Sequence, residues 1–207
     1  MESAFALFTA FALQLFIIVD PVAGVPVFLS ITPHNTREER RAMALRGCGT
    51  AFFIVLFFIF AGPPLFSYLA IETPSVRICG GILLFVIALE MLYGRTTGTG
   101  TSPREEKLAE VKEDISITPL AVPLLAGPGA ITTALIFADR ARTPLSWIAL
   151  PAAAAVVFTV TYFALLRADT LGRLIGTLGA AILMRIMGLI LAFLAVQYVV
   201  DGITSVL

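Results

Sequence analysis

Long runs without a charged side chain constrain this sequence more than any other feature. They cover residues 47–71, 115–138 and 143–166. A helix needs about 20 consecutive apolar residues to cross the hydrocarbon core of a bilayer. The composition agrees, because 58% of the residues are hydrophobic and only 14% are charged, whereas about a quarter of a soluble domain is charged. The sequence therefore predicts an all-α, polytopic membrane helix bundle in contact with the lipid bilayer.

We predict six transmembrane helices within a single transmembrane domain, residues 1–207. Their approximate bounds are 4–31, 47–69, 73–93, 115–138, 144–166 and 176–200. The third span must carry Arg77 and Glu90 near its ends. The 12 residues between these two charges cover only about 18 Å of helix, less than a hydrocarbon core of about 30 Å. Arg185 lies inside the sixth span.

The polar residues 95–114 divide the chain almost into halves, and we expect them to form a flexible cytoplasmic linker. Ten Lys and Arg residues lie in this linker and in the loops between spans 1 and 2 and between spans 5 and 6, whereas two, Arg140 and Arg142, lie in loops on the other side. Cytoplasmic loops carry an excess of Lys and Arg. Both termini are therefore predicted to be extracytoplasmic.

The two halves, residues 1–94 and 115–207, contain matching segments. Pro21 and Pro128 are 107 positions apart, and a second match places Arg77 and Arg185 108 positions apart. Each half has three predicted spans, and an odd number means that the second half enters the membrane from the opposite side. The sequence therefore predicts an inverted 3+3 repeat with broken helices 1 and 4, an arrangement typical of transporters.

Helix-breaking residues interrupt both predicted broken spans. Broken backbone at membrane depth is tolerated where it lines protein or a polar cavity, and such breaks form the substrate sites of transporters. Freed N–H groups suit a carboxylate, and Asp20 accepts a positive group. The predicted substrate-binding residues are Asp20, Pro21, Ala23, Gly24, Pro26, Gly127, Pro128, Gly129, Ala130, Ile131, Thr132 and Thr133.

These residues also have structural interpretations. Prolines kink membrane helices without any ligand, and Asp20 is a suitable N-cap for the helix that follows it. Arg77, Glu90 and Arg185 are functional candidates because intramembrane charge is costly, but the first two can reach the interface, and Glu90 can form a structural ion pair with Arg185. The glycines Gly80, Gly81 and Gly188 are expected to permit close helix packing.

Four segments carry a family resemblance: DPVAGVPVF, SVRICGGILLFVIALEML, PLLAGPGAITT and RIMGLILAFLAVQYVVDGI. Together they resemble the MarC family of bacterial and archaeal membrane proteins. The resemblance implies a six-span inner-membrane protein with two inverted halves. It also implies transport of glycine, alanine and similar substrates with proton coupling, as in the SnatA-type branch. The family often has Asn where this chain has Ala23 or Gly24, which leaves the substrate open.

We therefore expect a secondary transporter of a small zwitterion in the bacterial inner membrane, with Asp20 as a candidate proton carrier. The alternatives are efflux of amphipathic drugs or other small metabolites, which predicts an aromatic-lined cavity, and a membrane protein without transport activity. The sequence shows no catalytic motif and a single histidine, His34, so we expect no enzyme activity, cofactor or metal. The net charge of zero does not favour nucleic acid as a partner. The sequence does not decide whether the protein is a homo-oligomer.

Overall fold

A computed structural model describes residues 3–93 and 116–206. The predicted linker at residues 95–114 lies outside the described residues, and its predicted flexibility stays a prediction. The helices are α1 Ala4–Val19, α2 Pro21–Ile31, α3 Arg37–Tyr68, α4 Thr73–Tyr93, α5 Ser116–Leu125, α6 Pro128–Arg140, α7 Pro144–Leu166 and α8 Ala168–Thr204. The prediction of an all-α protein is confirmed for the described part of the chain.

Five stretches are long and apolar enough to cross a membrane. They are Ala4–Ile31, Arg37–Tyr68, Thr73–Tyr93, Pro144–Leu166 and Leu178–Thr204. The predicted fourth span is divided between α5 and α6, and each of these helices is too short to cross a bilayer alone. Five of the predicted spans are thus confirmed as membrane-spanning candidates, and the complete six-helix inverted repeat stays a prediction.

Helix α3 begins ten residues before the predicted start of the second span because its N-terminus is well capped. The Thr36 hydroxyl accepts a hydrogen bond from the Glu39 N–H, and the Glu39 carboxylate accepts one from the Thr36 N–H at 2.8 Å. This reciprocal capping satisfies two N–H groups of the first turn. Much of the loop predicted between spans 1 and 2 is therefore helix, and it carries its arginines on an ordered surface.

Helix α8 also begins earlier than predicted. Its first residues, 168–175, are separated from the apolar part by Gly176, which has a φ of 65° and a ψ of 175°. Glycine adopts positive φ without steric cost. The predicted start of the sixth span at residue 176 therefore coincides with a real interruption of the helix.

Close contacts at glycines hold the helices together, as predicted. A Cβ atom on Gly81 of α4 would lie 2.7 Å from the backbone oxygen of Ala195 in α8. One on Gly188 would lie 2.8 Å from Met91, and one on Gly80 would overlap Thr132 of α6. Small residues let helix backbones approach closely in membranes. Helices α4, α6 and α8 therefore pack around these glycines.

Contacts between helices occur in corresponding pairs in the two halves. Helix α1 packs against α7 as α5 packs against α3, and α2 packs against α8 as α6 packs against α4. The helices α4 and α8, which are equivalent in the predicted repeat, share the most extensive contact. This pattern is expected of two structurally similar halves, and their inverted topology stays a prediction.

One arginine connects the two halves at their polar end. The Arg40 guanidinium donates to a carboxylate oxygen of Asp169 at 2.9 Å, and it also donates to the backbone oxygen of Thr32 at 2.7 Å and 3.1 Å. Thr32 follows the last turn of α2, whereas Asp169 lies in the first turn of α8. Arg40 therefore joins the ends of α2, α3 and α8.

The glycine contact between α4 and α8 can be tested with a matched pair of substitutions. Gly81→Ala should lower the apparent melting temperature of the detergent-purified protein, because overpacking against a backbone atom costs about 1–3 kcal/mol. Gly49→Ala in α3 is the control, since nothing lies within 4 Å of its Cβ position. It should leave the melting temperature unchanged or raise it, because alanine is the better helix former. Equal effects of the two substitutions would contradict the packing described here.

Candidate functional site

A single residue breaks the first span. Asp20 adopts a left-handed conformation with a φ of 42° and a ψ of 70°, and its N–H group donates to the Phe16 oxygen at 3.0 Å. Aspartate is one of the few residues other than glycine that tolerate this conformation. Pro21 then occupies the first helical position of α2, where its missing N–H group costs no hydrogen bond. Asp20 therefore ends α1 and begins α2.

The Asp20 carboxylate has one oxygen engaged and one without a partner. Oδ1 accepts a hydrogen bond from the Ala23 N–H at 3.1 Å, which confirms the N-cap interpretation. Oδ2 is buried without a hydrogen-bond partner in the described part of the chain, and the residue is only 6% exposed. A buried polar atom without a partner is costly. This oxygen therefore marks Asp20 as a functional candidate and not only as a cap.

The first break is shorter than the sequence suggested. Helix α2 continues through Ala23, Gly24 and Pro26 without interruption. Gly24 is buried, and its N–H group donates a hydrogen bond to the backbone oxygen of Asp20 at 2.9 Å. Among the described residues, nothing lies within 4 Å of the position that a Cβ atom on Gly24 would occupy. These residues therefore leave room for at least a methyl group beside α2, one turn after the break.

The second break is longer than the first. Thr118 and Val122 have extended backbone conformations, because each precedes a proline in the sequence and this position disfavours helix. Gly127 is also extended, and Pro128 then begins α6. No side-chain hydrogen bond caps the N-terminus of α6. The first N–H groups of this helix therefore present the donors and the partial positive charge that attract anions.

The structure brings the two breaks together. A Cβ atom on Gly129 would lie 3.1 Å from a methyl carbon of Ile18 and 2.5 Å from a methyl carbon of Leu84. Ile18 is two residues before Asp20, and Gly129 is two residues after Gly127. The first turn of α6 therefore packs against the last turn of α1, which directly precedes Asp20.

The predicted site residues differ in burial. Pro21, Gly24, Gly129, Ala130, Thr132 and Thr133 are buried, Ala23, Pro26, Gly127 and Ile131 are half-buried, and Pro128 is exposed. Thr132 turns its methyl group toward Gly80 and fills a space between α4 and α6. Thr133 instead places its hydroxyl group 3.5 Å from the Tyr198 hydroxyl. The two threonines thus have different surroundings.

A polar group that the sequence analysis missed lies next to Thr133. The buried Tyr198 hydroxyl of α8 donates a hydrogen bond to the side-chain oxygen of Gln14 in α1. Gln14, Thr133 and Tyr198 thus join α1, α6 and α8 through polar side chains, and we call them the polar triad. A glutamine within an otherwise apolar helix is the sequence signal that could have indicated it.

Two arginines lie near the triad. Arg77 and Arg140, together with Asp201, are close enough to the Tyr198 hydroxyl to act on it electrostatically. Arg77 Nε is buried without a hydrogen-bond partner among the described residues, and Arg140 lies 4.9 Å over the ring of Phe137. Of the predicted intramembrane charges, Arg77 is therefore part of a polar region, whereas Arg185 is exposed and Glu90 is half-buried. The Glu90–Arg185 pair stays a prediction.

The phenylalanines of α3 face outward or pack against neighbouring helices. Phe53, Phe57 and Phe60 are 66%, 59% and 50% exposed. Phe52 and Phe58 are half-buried, and the Phe52 ring lies 6.3 Å from that of Phe158 in α7. This distribution is typical of a helix that faces lipid. It supplies no aromatic lining next to the two breaks.

Comparisons with known proteins give one consistent family. A family model described as "MarC family integral membrane protein" matches residues 5–207. A "UPF0056 membrane protein" of Aquifex aeolicus is 37% identical over all of this chain and 97% of its own length. The "UPF0056 inner membrane protein YhgN" of Escherichia coli K12 is 32% identical over 93% of each chain. No solved structure is significantly similar to this chain.

The polar triad generates a prediction about stability. Tyr198→Phe removes the hydroxyl group and leaves the Gln14 oxygen without its donor, which typically costs about 1–3 kcal/mol. We expect a lower apparent melting temperature in detergent. Tyr68→Phe is the matched control, because Tyr68 is 88% exposed, and it should have no measurable effect. If both substitutions leave the melting temperature unchanged, the triad does not stabilise the fold.

Proposed function

The chain belongs to the MarC family of integral membrane proteins, and from this premise we propose that it is a secondary transporter of small neutral amino acids such as glycine and alanine. The observation that carries the proposal is the adjacency of the two helix breaks. One break offers a buried carboxylate oxygen, and the other offers an uncapped helix N-terminus. The inner-membrane name of the Escherichia coli relative supports a location in a bacterial inner membrane.

The Asp20 carboxylate is the proposed partner of the substrate's ammonium group. Its Oδ2 atom is buried beside the break, and Oδ1 is held by the Ala23 N–H group, which fixes the orientation of the side chain. Hydrogen bonds between charged groups are roughly twice as strong as those between neutral groups. An ammonium group at this position would therefore compensate a costly buried oxygen.

The first turn of α6 is the proposed partner of the substrate's carboxylate. N–H groups at a helix N-terminus bind anions through hydrogen bonds and through the helix dipole. Gly127 provides no side-chain cap that would compete for these donors. An α-amino acid carries both charges within a few ångströms, and the contact between Gly129 and Ile18 supports the proposal that the two breaks lie close enough to meet both of them.

The space beside the breaks supports a small substrate. No atom of the described residues lies within 4 Å of the Cβ position of Gly24, whereas the corresponding position of Gly129 is already filled by Ile18 and Leu84. Ala23 and Ala130 contribute only methyl groups next to the breaks. A side chain of glycine or alanine size suits such a space better than a bulky or aromatic group.

We propose that a proton accompanies the substrate and that Asp20 carries it. The polar triad and the nearby Arg77 and Arg140 supply further hydrogen-bonding groups on α1, α4, α6 and α8. Rocking of the two predicted inverted halves would expose the breaks alternately to the two sides of the membrane. This motion requires that α5 and α6 together form a sixth membrane crossing. We also propose that both termini are extracytoplasmic.

The role of Asp20 can be tested in proteoliposomes. Wild-type protein should accumulate labelled glycine or alanine against its gradient when a proton gradient is imposed. Asp20→Asn should reduce this uphill uptake at least tenfold, because an amide carries no charge to pair with the ammonium group and does not exchange a proton. Asp139→Asn, near the C-terminal end of α6, is the matched control and should retain uptake. Uphill uptake by the Asp20 variant would contradict the role of this residue as a proton carrier.

The space beside Gly24 gives a second test. Gly24→Leu should abolish stabilisation of the purified protein by glycine and alanine, because the added side chain would fill the proposed substrate space, where the described residues leave room for its Cβ atom. Gly24→Ala should weaken binding of alanine more than that of glycine. Ligand binding is measured as a rise in apparent melting temperature, which follows from mass action.

The Gly49→Ala variant serves as the control for an added side chain that also enters open space, but far from the breaks. It should respond to glycine and alanine as the wild type does. Stabilisation of the wild type by bulky cationic drugs and not by amino acids would overturn the proposed substrate.

A further inference from the structure

A cavity of about 350 Å³ lies at the end of the bundle where Arg40 connects the two halves. Residues from the start of α3, the end of α7 and the start of α8 line it. They include four arginines, Arg37, Arg40, Arg41 and Arg167, and one carboxylate, Asp169. We call this the arginine cavity. It is separate from the two helix breaks.

The charges of the arginine cavity are strongly unbalanced. Its single carboxylate, Asp169, is already engaged with Arg40 at 2.9 Å. Arg37, Arg41 and Arg167 are exposed at the cavity. Guanidinium groups bind phosphate through paired, planar hydrogen bonds. The first turn of α8 lines the same cavity without a side-chain cap, and its N–H groups favour negative charge as well.

The position of the cavity points to the membrane interface. Leu165 and Leu166 also line it, and they are the last residues of α7, a helix long and apolar enough to cross the membrane. Leu166 is partly exposed, and so is Leu45 on the neighbouring face of α3. A phosphate group in the cavity would therefore have an apolar helix surface directly beside it, along which acyl chains can lie.

We propose that the arginine cavity binds the phosphate of an anionic phospholipid. Basic cavities between helices at the membrane surface recognise such headgroups. The lipid phosphate would reduce the repulsion among Arg37, Arg41 and Arg167 while Arg40 keeps its contacts with Thr32 and Asp169. The bound lipid would thus stabilise the junction of α2, α3 and α8. The proposal is independent of the transported substrate.

The test compares two lipids of equal chain length on protein stripped of lipid in detergent. Native mass spectrometry should show tighter binding of phosphatidylglycerol than of phosphatidylcholine. Phosphatidylglycerol should also raise the apparent melting temperature more than phosphatidylcholine does. In Arg41→Gln/Arg167→Gln the affinity for phosphatidylglycerol should fall roughly 30-fold, since each arginine at an anionic surface contributes about 1 kcal/mol. Arg40 is left intact in this variant, so the ion pair with Asp169 remains.

Arg142→Gln/Arg173→Gln removes the same charge from exposed residues outside the cavity and should bind phosphatidylglycerol as the wild type does. Arg41→Lys/Arg167→Lys should keep most of the preference for phosphatidylglycerol over phosphatidylcholine. It replaces the glutamine variant in the test if that variant does not fold. Equal binding of the two lipids by the wild type, or equal losses in both glutamine variants, would overturn the proposal. Stabilisation by inorganic phosphate at the same concentration as the lipid would identify a site for free anions instead.

Discussion

The structure depends on one physical constraint, which is that backbone polar groups cannot remain unsatisfied in lipid. The first break obeys it through Asp20: the Asp20 N–H group still reaches the Phe16 oxygen, and the Asp20 side chain takes over the Ala23 N–H group. The second break leaves the first N–H groups of α6 without a side-chain cap. The first turn of α6 packs against the last turn of α1 through Gly129 and Ile18. The two breaks thus meet the same constraint in different ways.

Small residues make this arrangement sterically feasible. Helix α6 carries the second break, and it can approach α4 because Gly80 leaves room for Thr132. Helix α4 is in turn held to α8 through Gly81 and Gly188. The same close packing brings Tyr198 within hydrogen-bonding distance of Gln14 on α1. The glycine contacts therefore have two results: they pack α4, α6 and α8 closely together, and they place Tyr198 next to Gln14.

Local sequence rules predicted the features that depend on single residues. The positions of Asp20, Pro21 and Pro128 followed from the conformational limits of proline. The bounds of α7 followed from uninterrupted apolar sequence, and those of α4 from the helix length needed to carry Arg77 and Glu90 near its ends. The polar triad was not predicted, because it joins three helices far apart in sequence. The extension of α3 was also missed, since a run of charged residues hid the capping pair at Thr36 and Glu39.

The contacts of Arg40 have a mechanical consequence. They join the end of α2 in one half to the start of α8 in the other, and they lie at one end of the bundle only. Any rotation that separates the halves at this end must break the ion pair between Arg40 and Asp169, whereas separation at the opposite end leaves it intact. The two hydrogen bonds from Arg40 to the Thr32 oxygen lie within the first half and hold the guanidinium group in place. Arg40 therefore holds the halves together at one end of the bundle only. Opening at this end costs more free energy than opening at the opposite end, even in a chain with matching halves.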